Sequence, residues 1–285
     1  MNLIKIKATK NDQNRTLFKV LSKYFSNVPI SRLEKLFRKK DIKVNGNRKI
    51  DKSYLVVEND LIEIYGLENV TDHQKENEFK TSEVKFSPIY EDDNILIINK
   101  PINVAMHSEE DCLDFQVLKY LKFNKSDSFI PSHLGRLDKE TSGLVVYAKN
   151  FETLKTFKEN PDLIQKTYWF KSDFEGPNTL VKGYIYKNED KKKMSYSPTQ
   201  KPNSQYFETN LFIENRKKFA TITTGRKHQI RLSLTAIGKP IYGDRKYGGK
   251  KADRLMLHAY ILKFNKLPKK LSYLSNKEFI ANVKW

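Results

Sequence analysis

A single cysteine, Cys112, stands in 285 residues. One thiol excludes an intrachain disulfide framework and a Cys-x-x-Cys metal knuckle, and it fits the reducing cytoplasm. Long apolar runs are missing too. No stretch approaches the ~20 apolar residues of a membrane span, and the opening MNLIKIKATKNDQNR alternates charged and apolar residues where a secretory signal would carry an apolar core. A soluble, unsecreted protein with no membrane partner is therefore expected. The chain also lacks a glycine-rich phosphate loop and a dinucleotide fingerprint, so no nucleotide cofactor is implied.

Acidic residues are outnumbered, 34 against 53 Lys and Arg, which leaves a formal charge of +19 and a pI near 9.6. That excess points to a polyanionic partner, because each neutralised phosphate releases counterions. Composition offers a second explanation. Only ten of the basic residues are arginine, and Lys, Asn and Ile abound, as they would under the codon bias of an adenine- and thymine-rich genome. Where the charge falls must decide between the two. The length suits one sizeable core plus a smaller module.

The spacing of Leu17, Val20, Leu21, Tyr24 and Phe25 predicts a helix. A second helix is expected in SRLEKLFRKKD, with Ser31 as N-cap and Glu34 at capping-box distance. Asn45-Gly46 predicts a hairpin with a type I′ turn, and YLVVENDLIEIYG predicts further strands. Arg32, Lys35, Arg38, Lys39, Lys40, Lys43 and Arg48 cluster on the second helix and the turn after it, a footprint suited to phosphates. A lysine-rich solvated face is the alternative. With this charge, VPISRLEKLFRKKDIKVNGNRKI resembles the small S-four-type RNA-binding module. The expected organisation is that module over residues 1–66, a polar linker over 67–86, and a second domain over 87–285.

In the second domain, Asn94 to Asn99 reads as a buried strand ended by Lys100-Pro101. TSGLVVYAK, QKTYWFKSDF and KFATITTG read as further strands, and GRKHQIRLSLTAIG as a helix stopping at Gly238. Residues 187–204 read as a charged loop. Strands outnumber helices without regular alternation, which favours an α+β fold with a mixed or antiparallel sheet.

HLGRLDKETSG, residues 133–143, places Asp138 between Arg136 and a polar turn. Asp138 and Glu140 fit poorly as a glycosidase pair, because such carboxylates lie ~5–9.5 Å apart across a sugar and come from different elements. His107, Glu109, Glu110, Asp111 and Cys112 lack metal-ligand spacing and read as a solvated loop, so no metal is implied.

Six fragments settle the comparison: EDDNILIINKP, GRLDKETSGLVVYAK, QKTY, TGRKHQIRL, GKPIYGD and LMLHA. Their order and approximate spacing over residues 86–265 resemble the RluA family of RNA pseudouridine synthases. The leading module resembles the RluC branch of that family. The resemblance implies cofactor-free isomerisation of uridine to pseudouridine, in large-subunit ribosomal RNA, with transfer RNA as the alternative substrate; a monomer is expected. It implies that Asp138 is the catalytic carboxylate, as nucleophile or as base toward ribose. Arg231 would pair with it, in a forked contact that fixes its orientation and charge. Tyr168 would stack on the flipped base and help remove its carbon-five proton. Leu257 would line the uracil pocket, and Arg136 would meet phosphate or the nucleotide's surroundings. One departure is that the family's His-Arg-Leu-Asp reads Gly135-Arg136-Leu137-Asp138 here, with His133 two places earlier. A catalytically silent RNA-binding or ribosome-assembly factor on the same fold is the rival reading.

Overall fold

The computed structural model describes residues 3–67, 79 and 81–285. By packing, the chain divides into two compact units. Residues 1–84, 115–132 and 148–155 form the first, and residues 85–114, 133–147 and 156–285 the second. Most of the expected linker, residues 68–78 and 80, lies outside the described residues. Two stretches read from the sequence as second-domain chain, 115–132 and 148–155, pack with the N-terminal residues instead.

The first unit opens with β1 (Leu3–Lys7), followed by α1 (Leu17–Tyr24), α2 (Ile30–Lys39), β2 (Ile42–Val44) and β3 (Leu61–Tyr65). The strands form an antiparallel sheet in the order β1-β3-β2. Leu17, Val20 and Leu21 of α1 and Leu33 and Leu36 of α2 bury against Ile62 and Ile64 of that sheet, as their helical spacing requires. Thr16 caps α1 by accepting from the Lys19 amide. The expected cap of α2 is corrected: the helix begins after Pro29, with no side-chain cap, and Ser31 lies inside it. Proline fixes the φ needed at a helix entry, which moves the start ahead of the serine.

Asn45 and Gly46 do form a left-handed turn, at φ 50° and 80°, closed by reciprocal Val44–Asn47 hydrogen bonds of 3.0 Å. The expected hairpin partner strand does not follow it. β2 pairs with β3 instead, and Asn45 pins the turn there by accepting from the Leu61 amide and donating to Asp60, both at 2.8 Å. YLVVENDLIEIYG accordingly yields one strand. Elsewhere in this unit the buried Asp12 carboxylate accepts from the amide and hydroxyl of Ser128, and Asn11 and Thr9 donate to Asp127.

The second unit is built on a sheet of β4 (Ser87–Glu91), β5 (Ile95–Lys100), β6 (Ser132–His133), β7 (Ser142–Ala148), β8 (Ile164–Phe170), β9 (Thr179–Asn188), β10 (Lys193–Ser197), β11 (Gln205–Glu214), β12 (Lys217–Ile222), β13 (Leu257–Phe264) and β14 (Glu278–Ile280). The order is β10-β9-β11-β12-β8-β13-β7-β5-β4, with β14 on β13 and β6 on β7. β13 runs parallel to β7, while its pairings with β8 and β14 are antiparallel. Later in the chain, the described residues also include the helices α3 (Leu113–Tyr120), α4 (Phe151–Glu159) and α5 (Gln229–Ala236), the last packed on β9, β10 and β11. The fold is α+β.

Residues Ile95–Ile98 are wholly buried, as an unbroken apolar run on a central strand should be. Gly143 permits the close approach of β7 to β13: at φ 118°, a Cβ there would sit 2.3 Å from the Ala259 carbonyl oxygen. The loop expected over 187–204 is corrected. It holds the end of β9, the turn and all of β10, which pair as a hairpin with Met194 opposite Lys187 and Tyr196 opposite Ile185. Lysines on the exposed positions and at the turn mask the alternation that marks a strand.

Candidate active site

Asp138 sits on the loop joining β6 to β7, where its carbonyl accepts from the Thr141 amide at 3.0 Å. The loop is held from beneath by Lys100, at the end of β5. This side chain is 0% exposed, yet its ammonium donates to the carbonyls of Pro101, Val104 and Lys139 at 2.9, 2.8 and 3.2 Å. Desolvation lowers it to about 8, with the negative charge of Asp138 opposing that fall and Arg254 adding to it. The Asn103 amide also donates to the Lys139 carbonyl, at 2.8 Å, so two backbone segments fix the residue after Asp138.

Arg231 projects from α5 and is 2% exposed. Its Nη1 donates to Asp138 Oδ2 at 3.3 Å and lies 3.6 Å from Glu140 Oε2. The forked contact expected with Asp138 goes elsewhere: Nε and Nη2 meet the two oxygens of Asp244 at 2.7 and 2.8 Å. Asp244 is itself buried and accepts from the amides of Lys246 and Tyr247. Burial works against the guanidinium's charge, and the hydrogen bonds and charge of Asp244, helped by Asp138 and Glu140, outweigh it and hold Arg231 protonated. Asp138 therefore faces a permanent cation whose orientation a second carboxylate sets.

His228 precedes α5 in a left-handed conformation, φ 59°, with its Nε2 3.7 Å from Asp138 Oδ2 and its Nδ1 2.7 Å from the Tyr247 hydroxyl. Desolvation lowers it to about 4 despite the pull of Asp138, so the ring is neutral near pH 7. Gln229 secures the loop before α5. It accepts from Thr224 and the Arg226 amide and donates to the Glu208 carbonyl and Thr209, which satisfies a buried amide in full.

On β8, alternation turns Ile164, Lys166 and Tyr168 to one face. Tyr168 is 6% exposed and paired in register with Ala220 on β12 and Ala259 on β13, small neighbours that leave its ring room. Burial first, and then the charge of Asp138, push its phenol up, so it keeps its proton. Leu257 pairs with Phe170 and is buried on that same face.

These groups enclose a cavity of about 290 Å³, near the lower end of the ~300–1,000 Å³ typical of small-ligand sites. Arg136, Asp138, Tyr168, Arg231 and Leu257 all line it. The Asp138 side chain is 27% exposed, open to a ligand while its partners are buried. Asp244, Lys100, His228 and Lys166 were not singled out from the sequence, although all four fall inside the quoted fragments. Within the His107–Cys112 stretch, Glu109 pairs with Lys139 at 2.6 Å and Cys112 is buried.

The remaining residues of the sequence reading lie in the first unit. Arg32, Lys35, Arg38 and Lys39 are exposed along α2. Lys43 and Arg48 stand over the Tyr65 ring, 4.9 and 5.2 Å from its centre.

Comparison with known proteins gives this geometry a family. The pattern of the RNA pseudouridylate synthases matches residues 94–236. An uncharacterized RNA pseudouridine synthase of Mycoplasma capricolum is 40% identical, with 99% of each chain covered. Ribosomal large subunit pseudouridine synthase C of Rickettsia felis is 35% identical over 80% of this chain and 81% of its own. Among solved structures, Human RNA Pseudouridylate Synthase Domain Containing 1 shares the fold, with a TM-score of 0.54 at 22% identity over 64% of this chain and 79% of that one. The chain belongs to the RluA family of RNA pseudouridine synthases and is an isomerase acting on RNA.

Proposed function

We propose that the Asp138 cavity isomerises uridines of large-subunit ribosomal RNA. The observation that carries this reading is the convergence of Asp138, Arg231 Nη1 at 3.3 Å and Tyr168 on one cavity. A uridine within folded RNA must leave its stack to enter such a site, at a cost of a few kcal/mol that contacts in the pocket offset. Tyr168 supplies a flat face for the base, Leu257 an apolar wall, and Arg136 a cation at the rim for the backbone. Asp138 acts on the ribose. Arg231 orients it, and Asp244 keeps Arg231 in place.

Ribosomal RNA as the substrate is favoured by relatives such as those of Rickettsia felis and Pasteurella multocida, whose names specify the ribosomal large subunit. In this reading the N-terminal residues form an S-four-type module that binds RNA through the basic face of α2 and the Lys43–Tyr65–Arg48 cluster. A silent binding protein has no support in the family membership. The protein would work in the cytoplasm, beside its substrate. Mapping pseudouridines in ribosomal RNA from cells with and without this gene tests the proposal. Sites lost with the gene and restored by the wild-type chain, but not by Asp138→Asn, are expected; an unchanged ribosomal RNA map would redirect the search to transfer RNA.

A further inference from the structure

Lys166 occupies the cavity wall two residues before Tyr168, on the same face of β8. Its partners in register, Ile222 on β12 and Leu262 on β13, are apolar. The ammonium donates to the Leu134 carbonyl at 3.1 Å, and among the described residues this is its one hydrogen bond. No carboxylate pairs with it there. An ammonium carries three protons to donate, so two are left for whatever fills the cavity. Burial without a counter-charge lowers the group to about 8, which leaves it mostly charged at neutral pH.

Space for this head group is made by Gly135. Its φ is 108°, and a Cβ built there would lie 2.7 Å from Lys166 Nζ. The loop that carries Asp138 is thus shaped to admit a cation at the cavity wall. A charge so placed is costly unless something negative meets it.

The reaction generates such a group. When the bond between ribose C1′ and uracil N1 breaks, its electron pair stays with the base, and the negative charge spreads over N1, O2 and O4. The same anion forms whether an Asp138 oxygen bonds to C1′ or takes a proton from C2′. The turned base then bonds to C1′ through C5 as the Asp138–C1′ bond breaks or, on the other route, as Asp138 returns its proton to C2′; the C5 proton leaves and N1 gains one, so the product is an isomer of the substrate.

We propose that Lys166 is a catalytic residue that donates to a carbonyl oxygen of the uracil anion while the base is detached from ribose. The contact strengthens as charge develops, and so favours the transition state over the neutral nucleotide. The inference rests on the Asp138 cavity being the uridine site.

Single-turnover assays of Lys166→Met test it, since methionine keeps an apolar stem and removes the charge. The rate of uridine isomerisation is expected to fall roughly 100-fold or more, the scale of losing one preorganised donor, with RNA affinity within about threefold of wild type. A target 5-fluorouridine supplies a better leaving anion, because fluorine withdraws electron density. Its consumption should therefore suffer about tenfold or less from the same substitution. Lys166→Gln, also neutral, repeats the measurement should the methionine variant fold poorly in thermal denaturation. Wild-type turnover by either variant, an equal loss on both nucleotides, or a loss confined to RNA affinity overturns the inference. Asp138→Asn separates the two levels. If it is inactive while Lys166→Met is active, only the role of Lys166 fails; if it retains full activity, the cavity assignment fails as well.

Discussion

Arg231 gives both Nε and Nη2 to Asp244, at 2.7 and 2.8 Å, and turns Nη1 to Asp138, at 3.3 Å. The Asp138 carboxylate is therefore the third party in a chain of charges rather than one half of a closed pair. An open carboxylate suits a group that must move toward ribose. A closed bidentate pair would have to break first.

Asp244→Ala should leave Arg231 buried with only its weaker partners. Breaking a buried pair on one side typically costs about 3–5 kcal/mol, and urea unfolding should show a loss of that size. Asp244→Asn preserves shape and some hydrogen bonding, so it should fold better and still lose turnover because Arg231 is no longer aimed. Wild-type stability and activity in both variants would show that Asp244 is not the anchor.

Arg231→Lys keeps the charge and loses the fork. A lysine point charge cannot satisfy two oxygens of Asp244 and also reach Asp138, so single-turnover rates should drop about 100-fold or more. Equal rates for Arg231→Lys and wild type would mean that charge alone suffices.

How much of this was readable in the chain depends on the kind of information involved. Asp138, Arg136, Tyr168, Arg231 and Leu257 sit in short fragments whose order carries the family, and the structure brings all five to one cavity. The division of Arg231 between two carboxylates is not encoded in spacing. Asp244 lies thirteen residues later, and only folding brings it under the guanidinium. β1 went unnoticed because the alternation in LIKIK served to exclude a signal peptide, although period two is also the mark of a strand. Ser31 illustrates the opposite failure, where a good local cap was overridden by a proline two residues earlier.

His258 links stability to pH. It is 1% exposed, donates from Nε2 to the Ala281 carbonyl at 2.8 Å and contacts Ser142 Oγ through Nδ1 at 2.7 Å. Desolvation lowers it to about 4 from 6.5, with the Ala281 bond opposing and Arg254 adding to the fall. The unfolded chain thus takes up this proton first, and stability falls as pH drops from about 6.5 to 4. The contribution is at most ~3 kcal/mol. His228, lowered in the same direction, adds to the trend. Urea unfolding between pH 4 and 7 should show a shallower slope for His258→Gln than for wild type; equal slopes would place the proton uptake elsewhere.

The basic face of the first unit should set affinity rather than rate. Arg32, Arg38 and Lys39 are exposed along α2, and the Lys43 and Arg48 cations stand above Tyr65 beside the Asn45-Gly46 turn. Exposed cations on one helix and one turn offer phosphate contacts without constraining chemistry on a base. Replacing Arg32, Arg38 and Lys43 with Gln should weaken binding to a ribosomal RNA fragment. The slope of log affinity against log salt should flatten by about 0.7–0.9 for each phosphate that is no longer neutralised. Asp138, Arg231 and Tyr168 are untouched by these changes, so the half-saturation concentration should rise while the maximal rate stays near wild type. A maximal rate that collapses while affinity holds would mean that these side chains act on the reacting uridine itself.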